Sequence, residues 1–324
     1  MNRNAHFSAA KAICYSGWNR IRAAITLVLI LLLPAMAHAA QATYSTAGKA
    51  VESLVSAVRA HNNEQLISIL GPEARDIIFS GDAVADKNLL ENFLKSYEEK
   101  HQIVAGKKGS MILVVGKNDW PMPIPIARVS GKWLFDTTAG KEEILNRRIG
   151  RNELSAIQIC LAVLDAQRDY LALETNAAGL REYASRFISE SGKRNGLYWP
   201  TAGNEPQSPL GPLAAQAGEV GYQAGQSSTG STRPFYGYRF RLLTRQGANA
   251  PGGSIDYMVN GKLIGGFAII AWPAEYGNSG ITTFIMNHDG IVYQRNLGQD
   301  TAKLAEQITE YDPGLNWKRV EHER

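Results

Sequence analysis

The residues best suited to ligand chemistry lie late in the chain, where predicted strands end. The segment 272–277 (WPAEYG) places two aromatic residues around one acid. Glu275 could anchor a polar ligand there, with Trp272 and Tyr276 as stacking surfaces, because loops at strand ends often carry function. Tyr198 and Trp199 could complete such a rim. The alternative interpretation is a strand corner whose tryptophan and proline pack on the core.

A histidine and several acids favour a different chemistry, hydrolysis. His288 could act as a general base, with Glu275, Asp256 or Asp289 as an acidic partner. The segment 287–290 (NHDG) is equally typical of a β-turn, since Asn, Asp and Gly favour the backbone conformations of turns. A calcium loop would need six or more oxygen ligands, whereas the residues that follow are apolar. No catalytic residue is therefore assigned.

Neither the histidines nor the cysteines predict a metal site. The histidines after residue 39 are far apart in sequence and show no paired ligand spacing; they are His61, His101, His288 and His322. Cys160 lies between Ile159 and Leu161 on an apolar helix face, where cysteine behaves as a small hydrophobic residue. We predict that this thiol packs in a core, and we predict no metal and no cofactor.

A group of basic residues flanks two adjacent glutamates at 142 and 143. Lys141, Arg147, Arg148 and Arg151 have the spacing of i, i+4 charge pairs on one helix. The pattern favours a solvated helix face near a domain junction. The alternative is a site for an anion or for a partner protein.

The first 39 residues predict a secretory signal peptide. Arg20 and Arg22 precede an apolar run from Ala23 to Leu33, and a small-residue cleavage site ends at Ala39. The run is short of the roughly 20 residues that span a bilayer. We expect cleavage near Ala39 and a periplasmic or secreted product without stable membrane insertion.

Removing this segment changes the charge and the cysteine content. The whole chain has 34 Lys+Arg and 30 Asp+Glu, and the first 39 residues hold four of the basic residues and none of the acids. The remainder is therefore neutral, which argues against nucleic acid as a partner. Cys14 leaves with the signal, so Cys160 alone remains and no disulfide within the chain is expected.

The rest of the chain predicts an α+β fold. Apolar spacing favours helices around 51–58, 66–70 and 86–97, followed by short antiparallel strands up to residue 135. This gives N-terminal helices on a curved sheet (40–140), a helical bridge (141–198) that includes a helix at 179–188, a Gly/Pro/Ser-rich surface excursion (199–234), and an antiparallel β-meander (235–324). Within the last two parts we expect a short helix at 212–217, a hairpin turn at Asn260-Gly261, and a terminal helix at 301–308.

Six segments resemble the exported bacterial family filed as domain of unknown function 2950. They are NDWPMPIPIAR, KWLFDTTAGKEEILNRRIGRNELSAIQIC, GKRNGLYWP, YGYRFRLLTRQGANAPGG, GGFAIIAWPAEYG and TFIMNHDGIVYQRNLG. The resemblance implies an exported protein and brings no activity, cofactor or catalytic residue. Residues 46–140 are also similar in element order to nuclear-transport-factor-2-like cones, and residues 152–297 to type IV pilin-like heads.

These observations leave two function classes open. The first is a non-enzymatic binding or assembly module for an envelope partner. The alternative is a periplasmic hydrolase whose site assembles only in the fold. A pocket with His288 in hydrogen-bond reach of a serine or carboxylate would favour the hydrolase, and an aromatic-rimmed groove between the domains would favour the binding module.

Overall fold

The computed structural model describes residues 41–173, 179–202, 205–219, 221–222 and 233–321. The predicted signal peptide lies outside the described residues, as do parts of the 199–234 excursion. Within the described ranges, no helix is long and apolar enough to cross a membrane.

The N-terminal half begins with helices that have polar caps and an apolar face. These are α1 (Ala47–Arg59), α2 (Asn63–Leu70), α3 (Arg75–Ile78) and α4 (Ala83–Glu99). Thr46, Asn62 and Asp82 cap α1, α2 and α4, because their side-chain oxygens accept hydrogen bonds from backbone N–H groups of the first turn. The predicted apolar stripe of α1 is buried, whereas α4 contains no buried residue.

An antiparallel sheet lies against these helices. Its strands are β1 (His101–Ala105), β2 (Met111–Val115), β3 (Trp120–Pro121), β4 (Ile126–Val129) and β5 (Lys132–Phe135). The order is β1-β2-β4-β5, with β3 also paired to β2. Leu113, Ile126 and Phe135 point into the core that the sheet shares with α1 and α2. Helices followed by a sheet confirm the α+β prediction for this half.

Helix α5 (Thr137–Leu173) runs for 37 residues from the first core to the second. Ile144 packs against the N-terminal core, and Ala156, Cys160 and Val163 belong to the C-terminal core. Cys160 is fully buried, and this burial raises the pKa of its thiol to about 12. The prediction that Cys160 is a packing residue is confirmed.

The helix predicted at 179–188 is wrong. Tyr183 instead forms an antiparallel bridge with Leu263, and Ile188 a parallel bridge with Tyr198. The buried side chain of Gln167 also donates to the carbonyl of Ala184 and accepts from its N–H, each at 2.8 Å. Both backbone groups of Ala184 are thus occupied by α5, which leaves them unavailable to a local helix.

The C-terminal half is an antiparallel sheet, as predicted. The strands are β6 (Tyr238–Leu243), β11 (Ala268–Pro273), β12 (Thr282–Asn287), β13 (Val292–Asn296) and β14 (Lys318–Arg319), in the order β14-β13-β12-β11-β6. Two small pairs join it: β7 (Arg245–Gln246) with β8 (Ile255–Asp256), and β9 (Met258–Val259) with β10 (Lys262–Leu263). The predicted hairpin turn joins β9 and β10, where Asn260 and Gly261 have φ of 51° and 75°.

The two short helices predicted in this half are confirmed. Helix α6 (Gly211–Glu219) covers the segment expected at 212–217. Helix α7 (Thr301–Gln307) covers nearly all of the segment expected at 301–308. Helix α7 packs on β11, a fully buried strand that lies between β12 and β6.

Candidate functional site

A cleft of about 470 Å³ lies where α4 and α5 meet Glu219, Tyr222 and Tyr236. Its wall combines charge with aromatic side chains, chiefly Asp86, Arg148, Arg151, Glu219, Tyr222 and Tyr236. The cleft thus draws on both halves of the fold, which is where ligand sites preferentially occur.

Arg148 forms the base of this cleft and is buried, with 6% of its surface exposed. Its guanidinium donates to the carbonyl of Asp76 at 2.7 Å, to Oδ1 of Asn278 at 2.5 Å, and to the carbonyl of Ile77. The prediction of a solvated helix face is therefore wrong for Arg148, because acceptors from distant segments replace water. It holds for the exposed Arg147, whose Nε lies 2.6 Å from Oε1 of Glu143.

The turn that follows β11 is held against α5 by several side chains. Asn152 Nδ2 donates to the carbonyl of Ser279 at 2.9 Å, and Glu153 Oε1 accepts from two backbone N–H groups at the start of β12. Asn278 Nδ2 donates to the carbonyl of Phe79 at 2.7 Å and to Glu275 Oε2 at 3.0 Å. Glu275 therefore helps to join the two halves of the fold.

Asp82 positions the aromatic side of the cleft. Besides capping α4, its carboxylate accepts from Tyr222 Oη at 2.7 Å and from the N–H of Gly237 at 2.9 Å. Tyr222 Oη in turn accepts from the N–H of Tyr236 at 3.2 Å. Burial raises the pKa of Tyr222, so the phenol stays protonated and donates to Asp82.

Tyr236 completes this side in an unusual backbone conformation. Its φ is 50°, in the left-handed region that side chains larger than glycine rarely adopt. Its ring centroid lies 5.5 Å from that of Tyr222 and 4.7 Å from that of Phe235. Strain of this kind persists only where the surroundings hold it, and it clusters at functional sites.

Two charged side chains of the cleft have no partner among the described residues. Arg151 and Glu219 are exposed and form no ion pair or hydrogen bond with the part of the chain that the structure describes. Asp86, by contrast, accepts from the N–H of Ser80 with both oxygens, at 3.1 and 3.0 Å. Burial raises the pKa of Asp86. The cleft therefore offers both a cation and an anion to an incoming polar group.

The predicted rim residues lie elsewhere. Trp272 and Trp199 are core residues, 4% and 7% exposed, each with an arginine guanidinium over its ring. Their burial favours the strand-corner interpretation. Tyr276 is half-buried in the turn after β11, and Tyr198 lines a separate cavity of about 440 Å³. Of the five predicted rim residues, none lines the cleft.

The candidate hydrolase residues are not brought together with a nucleophile. His288 Nε2 lies 3.9 Å from Asp289 Oδ1, beyond hydrogen-bond distance, and its buried Nδ1 has no hydrogen-bond partner within the described chain. Asp289 exchanges hydrogen bonds with Asn287 in the predicted turn, and Asp256 accepts from the N–H of Met258 at 2.9 Å. Among the described residues, no three His, Cys, Asp or Glu side chains are placed to hold a metal ion.

Sequence reasoning did not find the cleft residues Asp86, Tyr222 and Tyr236, nor Asp82, which holds Tyr222 in place. Asp82 could have been predicted as the N-cap residue of a helix, because it is an acid that directly precedes a helical segment. The others give no such signal, because their neighbours come from distant parts of the chain.

Comparison with known proteins gives one family match. The family model described as "Protein of unknown function (DUF2950)" matches residues 41–320. No curated protein and no solved structure matches the chain, so the partial similarities to nuclear-transport-factor-2-like cones and pilin-like heads stay predictions.

Proposed function

The chain belongs to the DUF2950 family of proteins of unknown function, and we propose that it is an exported, non-enzymatic binding module. In this proposal, the cleft between α4 and α5 receives a polar group of an envelope protein partner. The signal peptide 1–39 directs export and is removed near Ala39, which gives a periplasmic or secreted protein.

The observation that carries the proposal is the aromatic-rimmed cleft between the two halves of the fold. Arg151 and Glu219 supply opposite charges that no described side chain neutralises. Tyr222 and Tyr236 add aromatic surface beside them, and tyrosine is enriched at protein interfaces. Charged groups at the edge of such a site set partner choice and association rate.

The rigid floor of the cleft also supports binding. Arg148 and Asp82 are 6% and 2% exposed, and their hydrogen bonds are satisfied within the protein. A preformed site avoids the entropy loss of ordering loops when a partner arrives. The exposed Arg151 therefore projects from a fixed helix and not from a mobile loop.

The hydrolase alternative finds less support. General base catalysis needs a base within about 3 Å of the group it deprotonates. His288 Nε2 lies 3.9 Å from Asp289 Oδ1, and it lines neither the cleft nor the cavity beside Tyr198. Cys160 is fully buried with a pKa of about 12, so it is protonated at neutral pH.

The proposal is tested by capture from envelope extract. A chain of residues 40–324 serves as bait, and retained proteins are identified by mass spectrometry. Arg151→Ala removes the unpaired cation of the cleft. Arg168→Ala removes an exposed arginine on the same helix that lies outside the cleft and pairs with Asp165 at 3.6 Å.

One protein retained by the wild type and by Arg168→Ala, but lost from Arg151→Ala, would support the proposal. Equal retention by both variants would place the partner surface elsewhere and contradict it. Absence of any specific partner would also contradict it and would direct effort to hydrolase substrates, with His288→Ala as the first control.

A further inference from the structure

A third cavity, of about 140 Å³, lies inside the N-terminal half between the helices and the sheet. Its wall is almost entirely apolar and includes Leu54, Leu66, Leu90, Phe93 and Ile124. Four of these five belong to α1, α2 and α4. Asp86 and Leu89 line both this cavity and the cleft, whereas Arg148, Arg151 and the two tyrosines of the cleft do not line the cavity.

The volume matches one six-membered ring. A cavity of about 150 Å³ lined by Leu, Ile and Phe stays empty of water and binds benzene. The present cavity has nearly the same volume and the same kinds of side chain. Water gains little there, since it would find few hydrogen-bond partners.

The partial solvent exposure of two lining residues locates the entrance of the cavity. Leu89 is 38% exposed and Trp120 is 44% exposed, although both line the cavity. Large apolar side chains that are partly solvated at the edge of an apolar cavity mark its mouth. Helix α4, which carries Leu89 and has no buried residue, forms one side of this mouth.

A single ionisable group, Asp86, interrupts the apolar wall. Each of its oxygens accepts a hydrogen bond from the N–H of Ser80, and no described cation lies within 4 Å of it. Arg148 attracts Asp86 electrostatically, but its guanidinium donates its hydrogen bonds to Asp76, Ile77 and Asn278. A carboxylate has about four acceptor positions, so Asp86 retains capacity for a further donor.

We propose that this cavity binds a small primary ammonium compound with one six-membered ring. The ring fills the space between α4 and the sheet, and the ammonium group donates to the carboxylate of Asp86. The cavity wall supplies apolar contact, and the carboxylate supplies charge complementarity and orientation. This site does not depend on the envelope partner proposed for the cleft.

Three probes with the same ring and different charge test the proposal at pH 7. Benzylamine, benzyl alcohol and benzoate are titrated into the 40–324 chain and followed by calorimetry, with tryptophan fluorescence as a second readout because Trp120 lines the cavity. Benzylamine should bind about tenfold more tightly than benzyl alcohol, because its ammonium group pairs a positive charge with the carboxylate whereas the hydroxyl donates as a neutral group. Benzoate should bind most weakly.

Three variants identify the groups responsible. Asp86→Asn keeps the size of the side chain and should reduce benzylamine affinity about tenfold, to the level of benzyl alcohol. Glu98→Gln removes an exposed acid of α4 that lines neither the cavity nor the cleft and should leave all affinities unchanged. Leu89→Trp, at a solvent-accessible helix position, should obstruct the mouth and weaken all three probes.

Several outcomes would overturn the proposal. Equal affinity for benzylamine and benzyl alcohol would mean an apolar void without charge selection. An unchanged benzylamine affinity in Asp86→Asn would remove the assigned partner of the ammonium group. No binding of any probe to the wild type would show that the cavity takes no ring of this size.

Discussion

Replacing Arg148 by methionine should lower the free energy of unfolding, because it removes hydrogen bonds that join the two halves of the fold. Methionine fills a similar volume on α5 but donates no hydrogen bond. The change leaves three oxygens without their present donor: the carbonyls of Asp76 and Ile77 and the side-chain Oδ1 of Asn278. Two of these belong to the N-terminal half and one to the C-terminal half.

The expected destabilisation is about 3 kcal/mol. A hydrogen bond from a charged donor contributes at least about 1.5 kcal/mol, so the three bonds contribute about 4.5 kcal/mol. Methionine recovers about 1.5 kcal/mol of this, because a buried guanidinium carries a desolvation penalty that a thioether avoids. For a chain of this size the loss corresponds to a decrease in Tm of about 5 °C.

The assay is urea unfolding of the 40–324 chain, followed by circular dichroism and by tryptophan fluorescence. Arg147→Met is the matched control, since Arg147 neighbours Arg148, is 48% exposed and makes an i, i+4 pair. It should change the free energy of unfolding by less than about 0.5 kcal/mol. Equal effects of the two substitutions, or no effect of Arg148→Met, would refute the assigned role of the buried guanidinium.

Three further predictions follow from the helix α5 and its surroundings. Gly140→Ala should destabilise the protein by about 2 kcal/mol, because an added Cβ would lie 2.6 Å from the carbonyl oxygen of Pro123. Gly150→Ala should stabilise the protein by about 0.5 kcal/mol, because no atom lies within 4 Å of the position of the added Cβ. Calorimetric Tm values of both variants check these two effects. The raised pKa of Cys160 should reduce the stability of the protein at alkaline pH, because the unfolded thiol loses its proton from about pH 8.5 while the folded thiol keeps it. In urea titrations between about pH 8 and pH 10, the free energy of unfolding of the wild type should fall by about 2 kcal/mol more than that of Cys160→Ala. Parallel pH profiles of the two proteins would contradict the burial of this thiol. Limited proteolysis should first cut within 200–234 and spare the first turns of α5, and early cleavage within α5 would contradict the packing described for it.

The spacing of residues along the sequence correctly predicts those helices and turns whose conformation depends on residues close in sequence. The apolar stripe of α1 and the Asn260-Gly261 turn are examples, since helix period and left-handed backbone geometry are properties of short segments. Cys160 was predicted to be buried for the same reason, because its apolar neighbours on α5 already mark the inner face.

The helix predicted at 179–188 shows where such patterns are misleading. Leu180, Tyr183, Ala184 and Phe187 have helical spacing. The chain nevertheless forms bridges to other segments, and Gln167 occupies the backbone of Ala184. Tertiary hydrogen bonds thus outweighed a modest local preference.

The cleft could not be read from spacing, because its contacts are long-range. Asp82 meets Tyr222 and Gly237 across 140 and 155 positions of sequence. Arg148 has the spacing of a surface charge and becomes buried only when remote acceptors surround it. The spacing of apolar and charged residues indicates which face of a helix a residue lies on, but it does not indicate which other segment of the chain packs against that face.

The sequence separation of the Arg148 contacts has a consequence for the order of folding. Its acceptors at 76 and 77 precede it by 72 and 71 residues, whereas Asn278 follows it by 130 residues. Domains generally fold in order from the N-terminus during synthesis. A growing chain can therefore bury its first core and engage two of the three acceptors long before the third exists. Until Asn278 has been synthesised, one N–H group of the Arg148 guanidinium lacks its acceptor and faces water. Folding of the C-terminal half then buries this group.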